Sequence, residues 1–84
     1  MIYVTSAGVK LYFDMADVPP ADADQPLFVR DLRGRTLAEI PSNGAWTLDG
    51  LIARLNEPRV RECVSDAGGA DAYLGAFWIG STEV

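Results

Sequence analysis

Arginines and aspartates are the residues of this 84-residue chain that have the chemistry to bind a charged partner. Arg30, Arg33 and Arg35 fall within six residues, and guanidinium groups bind phosphates and carboxylates through several donors at once. Four aspartates lie close together with no basic residue among them: Asp14, Asp17, Asp22 and Asp24. Because the formal net charge is -5, we do not expect direct binding to nucleic acid, which requires positive potential.

Catalytic and metal-binding patterns are absent from the sequence. The chain has no histidine, which excludes Ser-His and Cys-His nucleophiles and imidazole metal ligands. It also has no glycine-rich phosphate-binding loop. Asp22 and Asp24 lack the ligand spacing, central glycine and closing glutamate of a calcium loop. We therefore predict no catalytic residue, no metal site, no cofactor and no enzymatic activity.

Charge is unevenly distributed along the chain. Residues 1–29 carry -3, residues 30–61 carry +2 and residues 62–84 carry -4. This distribution predicts an acidic surface with a small arginine-bearing edge, which suits a protein partner better than a nucleic acid.

The first hairpin is predicted in the segment IYVTSAGVKLYFD, where Ala7 and Gly8 separate two strand-like runs. A two-residue turn places Tyr3 beside Tyr12 on the exposed face. The pairing is favoured as a structural contact, and an exposed contact patch is the alternative. The full set of predicted pairs is Val4 with Leu11, Ile2 with Phe13, Thr5 with Lys10, and Tyr3 with Tyr12.

A second hairpin is predicted from residue 27 to residue 40, with Gly34 at its turn, after a solvated acidic loop. Two registers remain open. In the first, Arg33 and Gly34 form a two-residue turn, which places residues 27 and 29 on the same face as residues 38 and 40. In the second, the turn starts at Asp31 with Gly34 left-handed in a bulge, and Val29 pairs with Leu37. In both registers Arg33 and Arg35 are exposed.

Two short helices are predicted next, with Thr47 as the N-cap of the first and Pro58 in the first turn of the second. Either Asn56 or Glu57 is expected to cap the second helix. Its apolar stripe is rotated from that of the first helix, so one straight helix could not bury both. The stripes are Leu48, Leu51, Ile52 and Leu55, then Val60, Cys63, Val64 and Ala67. The lone cysteine is therefore predicted to be in the core, and the helices to pack on a sheet instead of reading DNA.

The segment AYLGAFWIGSTEV is predicted to be one central strand with both faces covered. The alternative leaves Trp78 exposed as a contact surface, since aromatic residues are enriched at interaction hot spots.

The predicted fold is a single α+β domain over residues 1–84: a small antiparallel sheet of two hairpins and a C-terminal strand, with two short helices packed on one face. No apolar run is long enough to span a membrane, and we expect a cytoplasmic protein. The candidate partner-binding residues are Asp14, Asp17, Asp22, Asp24, Arg33, Arg35, Tyr3, Tyr12 and Trp78.

The predicted function is that of a non-catalytic protein-interaction module. A narrower hypothesis is a small acidic inhibitor from a phage or mobile element, similar in kind to an anti-CRISPR, that blocks a cationic nucleic-acid-binding complex of the host. A homodimer formed through the Trp78 strand or an open sheet edge is compatible with it. The alternatives are a phosphate or nucleic-acid binder that uses the arginines of the hairpin and helix, and an accessory subunit of a larger enzyme.

Overall fold

A computed structural model describes residues 3–12 and 15–82 of the chain. Within these ranges six antiparallel strands form one open sheet in the order β1-β2-β6-β5-β3-β4, and two α-helices accompany it. The strands are β1 (Tyr3–Val4), β2 (Lys10–Leu11), β3 (Leu27–Arg30), β4 (Thr36–Ile40), β5 (Asp71–Leu74) and β6 (Phe77–Ser81), and the helices are α1 (Leu48–Leu55) and α2 (Pro58–Ala67). This architecture confirms the predicted α+β class.

The core lies between the helices and one face of the sheet, which we call the inner face. Leu27 and Val29 of β3 are fully buried there, as are Leu51 and Leu55 of α1. Alternation along β3 sends its other two side chains to the opposite, outer face. Because both helices bury their apolar stripes on the inner face, no helix of residues 3–12 and 15–82 covers the outer face.

The first hairpin forms, but the predicted two-residue turn is wrong. The Thr5 amide donates to the Val9 carbonyl at 2.9 Å, which leaves a three-residue turn with Gly8 left-handed at φ 83°. The register therefore shifts by one residue, and Tyr3 pairs with Leu11 instead of Tyr12. Val4 pairs with Lys10, and the predicted pairing of Ile2 with Phe13 lies outside the described residues.

Hydrogen bonds explain why the longer turn is preferred. The Thr5 hydroxyl accepts from the Val9 amide at 3.2 Å, and the Ser6 amide donates to Asn56 Oδ1 at 2.7 Å. The Ser6 hydroxyl also donates to the Asn56 carbonyl. Asn56, which we expected as a possible cap of α2, instead attaches the β1-β2 turn to the junction of the helices.

The second hairpin combines features of both predicted registers. Its turn begins at Asp31, whose amide donates to the Arg35 carbonyl at 2.8 Å, and Gly34 is left-handed at φ 93°. A register shift between Val29 and Arg30 then restores the pairs expected from the shorter turn, with Val29 opposite Ala38. The bulge keeps both Leu27 and Val29 on the inner face.

The final apolar segment is a third hairpin, so the predicted single central strand is wrong. Leu74 pairs with Phe77 across a two-residue turn in which Gly75 has φ 61°. Glycine at the first central position favours this type of tight hairpin turn. A register shift in the β5-β6 pair leaves Ile79 unopposed, and Ile79 is fully buried.

The helices begin and end close to the predicted residues. The Thr47 side chain accepts from the Gly50 amide at 3.0 Å, which confirms the N-cap of α1. Pro58 is in the first turn of α2, and the left-handed Gly68 ends that helix. Cys63 is half-buried, so its predicted place in the core is wrong: Val60 and Val64 form the buried stripe of α2.

Candidate protein-binding face

Two cross-strand rows of side chains occupy the outer face of the sheet. The first, which we call the aromatic row, contains Tyr12, directly after β2, and Trp78, Tyr73 and Phe28 on the adjacent strands β6, β5 and β3. Register places Tyr73 opposite both Trp78 and Phe28. The second, the charged row, contains Lys10 on β2, Asp71 on β5 and Arg30 on β3, and the buried Ser81 of β6 lies between Lys10 and Asp71. The rows are two residues apart along β3 and β5, so both project on one face.

Arg30 connects the two rows. Its guanidinium carbon lies 4.9 Å from the centre of the Phe28 ring and 5.0 Å from that of Tyr73. Both distances fall within the range of cation-π attraction. The contacts hold the guanidinium over the aromatic row, where its planar donors can bind a carboxylate or phosphate in two-point fashion.

Tyr12 and Trp78 form the exposed end of the aromatic row. Their ring centroids are 5.8 Å apart with an interplanar angle of 11°, and the side chains are 41% and 42% exposed. Trp78 Nε1 donates to Asp71 Oδ1 at 3.4 Å. These rings therefore present apolar area to solvent in a fixed orientation, which is typical of interface anchors.

Tyr3 does not belong to this surface. It pairs with Leu11, a buried inner-face residue, and so lies on the other side of the sheet from Tyr12, where it is 39% exposed. The predicted contact between Tyr3 and Tyr12 is wrong because the three-residue turn reverses the side of each β1 residue. Tyr12 stacks on Trp78 instead.

The acidic loop, residues 15–26, joins β2 to β3 and is less solvated than predicted. Its Val18 is buried, and Trp46 Nε1 donates to the carbonyl of Gln25 at 2.8 Å. Asp22 is half-buried, and its Oδ1 accepts from the Ala76 amide at 3.4 Å, so it supports the β5-β6 turn.

The remaining aspartates of the predicted site have different positions. Asp17 is in a 3₁₀ turn, and both Asp17 and Asp24 are exposed. Asp14 lies outside the described residues. Of the acidic set, Asp17 and Asp24 therefore offer carboxylates to solvent, whereas Asp22 has a structural contact.

The arginine turn, residues 31–35, lies at the other end of β3 from the acidic loop. Arg33 and Arg35 are exposed, as predicted. Asp31 Oδ1 accepts from the backbone amides of Arg35 at 2.8 Å and Arg33 at 2.9 Å. The Arg35 amide in particular, with the charges of both guanidiniums, lowers the pKa of Asp31 despite partial desolvation. Asp31 thus organises the turn and offsets part of its charge.

Two other arginines are partly neutralised by one glutamate. Glu57 Oε1 lies 2.8 Å from Arg54 Nη1, and Glu57 Oε2 lies 3.5 Å from Arg59 Nε. The hydrogen bond from Arg54 is the main cause of a lowered Glu57 pKa. The arginines therefore do not form one basic surface, and the predicted positive edge is limited to the arginine turn and its surroundings.

Sequence reasoning missed Phe28, Arg30 and Tyr73 as parts of one surface. The signal for two of them was local: in the segment Leu27–Arg30, apolar core residues alternate with Phe28 and Arg30. The missing step was long-range, because the β3-β5 and β5-β6 pairings place Tyr73 between Phe28 and Trp78.

Comparisons with protein-family models, with curated protein sequences and with solved structures find no match for this chain. The described ranges contain no helix with the length and apolar content needed to cross a membrane. Within residues 3–12 and 15–82, no three His, Cys, Asp or Glu side chains converge on a potential metal position.

Proposed function

We propose that this protein is a non-catalytic protein-interaction module that binds through its outer sheet face. The observation that carries the proposal is Arg30 stacked on Phe28 and Tyr73 beside the half-exposed pair of Tyr12 and Trp78. Arginine, tyrosine and tryptophan are the residues most enriched at binding hot spots. Their fixed positions reduce the entropy lost when a partner docks.

Charge favours a protein over nucleic acid as the partner. The outer face carries Lys10 and Arg30 but also Asp71 and the exposed Glu39, which pairs with Phe28. A phosphate backbone would meet these carboxylates and a chain of net charge -5. A protein surface with an apolar centre and mixed charges around it matches the face better.

The narrower proposal is a cytoplasmic acidic inhibitor, from a phage or mobile element, of a host nucleic-acid-binding complex. Support comes from the net charge and from exposed Asp17 and Asp24 on the acidic loop. Replacing both aspartates with lysine should abolish the attraction of this chain to the cationic groove of such a complex. Unchanged binding of the double variant to the complex would refute mimicry of nucleic acid by the acidic loop. Asp22 is left intact in this test because its carboxylate supports the Gly75 turn.

Two tyrosines provide a matched test of the outer face. Tyr12 and Tyr3 are almost equally exposed but lie on opposite faces. Affinity capture from the source cell, quantified by mass spectrometry, should recover a specific partner with the unmodified chain and with Tyr3→Ala. The Tyr12→Ala variant should retain roughly tenfold less, the effect of losing a hot-spot residue. Equal recovery with all three baits, each confirmed as folded by circular dichroism, would refute binding through this face.

One observation favours a second candidate, a single-strand nucleic-acid binder. An aromatic row on an open antiparallel sheet can stack bases, and Arg33 and Arg35 follow Arg30 closely in the chain. This candidate predicts that fluorescein-labelled oligo(U) or oligo(dT) binds at low salt and is released as salt rises. Unchanged anisotropy at low salt would eliminate it.

A further inference from the structure

We propose that the partner at the outer face is a second copy of this chain, bound face to face around a two-fold axis. The inference rests on the proposed function, since both place a protein on the aromatic row. The partner bound at the outer face is then this chain itself, and the complex is a symmetric dimer.

The charge balance of the outer face is the first argument. Two copies of a chain with net charge -5 repel each other over most approaches. On the outer face the cations Lys10 and Arg30 are matched by the anions Asp71 and Glu39. This face therefore opposes self-association less than the acidic loop would.

Arg30 and Glu39 are complementary in charge on the outer face. Within the described part of the chain the Arg30 guanidinium has aromatic contacts but no hydrogen bond or ion pair. Exposed Glu39 lies on the adjacent strand, opposite Phe28. A two-fold axis passing between the two positions sets each Arg30 against the Glu39 of the other copy. Both groups then gain a charge-assisted partner over the aromatic row.

The dimensions of the molecule are compatible with an interface of standard size. The molecule measures 32 × 24 × 22 Å and has an accessible surface of 4862 Å². The two longest dimensions bound the area of one side at roughly 800 Å², which is what each partner contributes to a standard interface. A face-to-face dimer of standard size would therefore need most of one side of the molecule. We expect a concentration-dependent dimer with a dissociation constant in roughly the micromolar range.

Sedimentation velocity across about 1 μM to 1 mM protein tests the dimer. The expected result is a rise from the 9.1 kDa monomer toward twice that mass. Arg30→Glu should raise the dissociation constant at least about tenfold. Arg61→Glu is the matched control, since it changes the net charge equally at an exposed α2 position, and it should have less than about a twofold effect.

A charge exchange separates pairing from simple loss of the fold. The double variant Arg30→Glu with Glu39→Arg has the original net charge and should recover most of the lost affinity. A monomer at every concentration would overturn the dimer, and equal effects of Arg30→Glu and Arg61→Glu would overturn its placement on the outer face. Failure of the exchange to restore association would overturn the Arg30-Glu39 contact. A monomer that still loses a captured protein on Tyr12→Ala would overturn self-association alone and leave the proposed function standing.

Discussion

Replacing Gly80 with alanine should separate the first hairpin from the rest of the sheet. Gly80 lies opposite both Leu11 and Ala72, so it is between β2 and β5. A Cβ atom added there would overlap the Lys10 carbonyl oxygen and would lie 3.0 Å from Leu11 Cδ2. Backbone cannot move aside as a flexible side chain can, so β2 must shift away from β6.

The expected cost is at the upper end of the range for overpacked sites, about 3 kcal/mol. A domain of this length has a total stability of about 4 to 13 kcal/mol, and each kcal/mol lowers Tm by about 4 to 8 °C. Gly80→Ala should therefore melt about 12 to 24 °C below the unmodified chain. Gly8→Ala is the control: Gly8 has φ 83° but open space around it, so it should lose only about 1 kcal/mol.

Calorimetry gives the two melting temperatures, and hydrogen exchange locates the change. Faster exchange is expected at the Tyr12 amide, which donates to the Ile79 carbonyl at 3.1 Å across β2 and β6. The near-ultraviolet circular dichroism of the Tyr12-Trp78 pair should weaken as well. A Tm for Gly80→Ala no lower than that of Gly8→Ala would refute the steric reasoning.

Two further variants test the turns. Asn56→Ala removes the acceptor of the Ser6 amide and should lower the free energy of unfolding, measured by urea titration, by about 1 kcal/mol. Asn43→Ala, at an exposed position, should leave it unchanged. Equal values for the two variants would refute the attachment of the β1-β2 turn by Asn56. The pKa of Asp31 is lowered from 3.8 in the folded chain, chiefly by the hydrogen bond from the Arg35 amide. The Asp31 carboxylate therefore stabilises the fold above its unfolded pKa, and this stabilisation is lost as pH falls through its folded pKa. Tm measured between about pH 2 and 6 should fall less steeply for Asp31→Asn, and parallel curves would contradict this.

Local sequence signals were sufficient for the helices and the second hairpin. The hydroxyl of Thr47, the proline at position 58 and the glycine at position 68 each act on backbone within one turn of the helix. One of the two predicted registers of the second hairpin included a left-handed Gly34, which the structure has. The bulge between Val29 and Arg30 then gives the strand pairs of the other register.

The first and third hairpins could not be predicted in the same way. Ser6 joins the first turn because Asn56, fifty residues away, binds its amide. The apolar residues continue on both sides of Gly75, and such a run predicts one strand with both faces covered. The turn at Gly75 is also supported from outside, by Asp22 of the acidic loop.

The candidate site was only partly predictable for the same reason. Tyr12 was predicted to be exposed but with the wrong partner, and the exposure of Trp78 was only the alternative to a strand covered on both faces. Arg30 was grouped with Arg33 and Arg35 by sequence proximity, whereas strand alternation places it over Phe28 and Tyr73. Proximity in sequence therefore suggested an arginine cluster, and sheet pairing produced an aromatic surface.

The pairing of β2 with β6 also has a kinetic consequence. It joins Lys10 to Ser81, near the two ends of the chain, while the three hairpins close over short loops. Closing the long loop is entropically costly, so we expect this strand pair to form after the hairpins during refolding. Tyr12 then reaches Trp78 only after the hairpins have formed, and stopped-flow fluorescence of that pair would time the joining of β2 to β6. A partially folded chain would consequently lack the recognition surface.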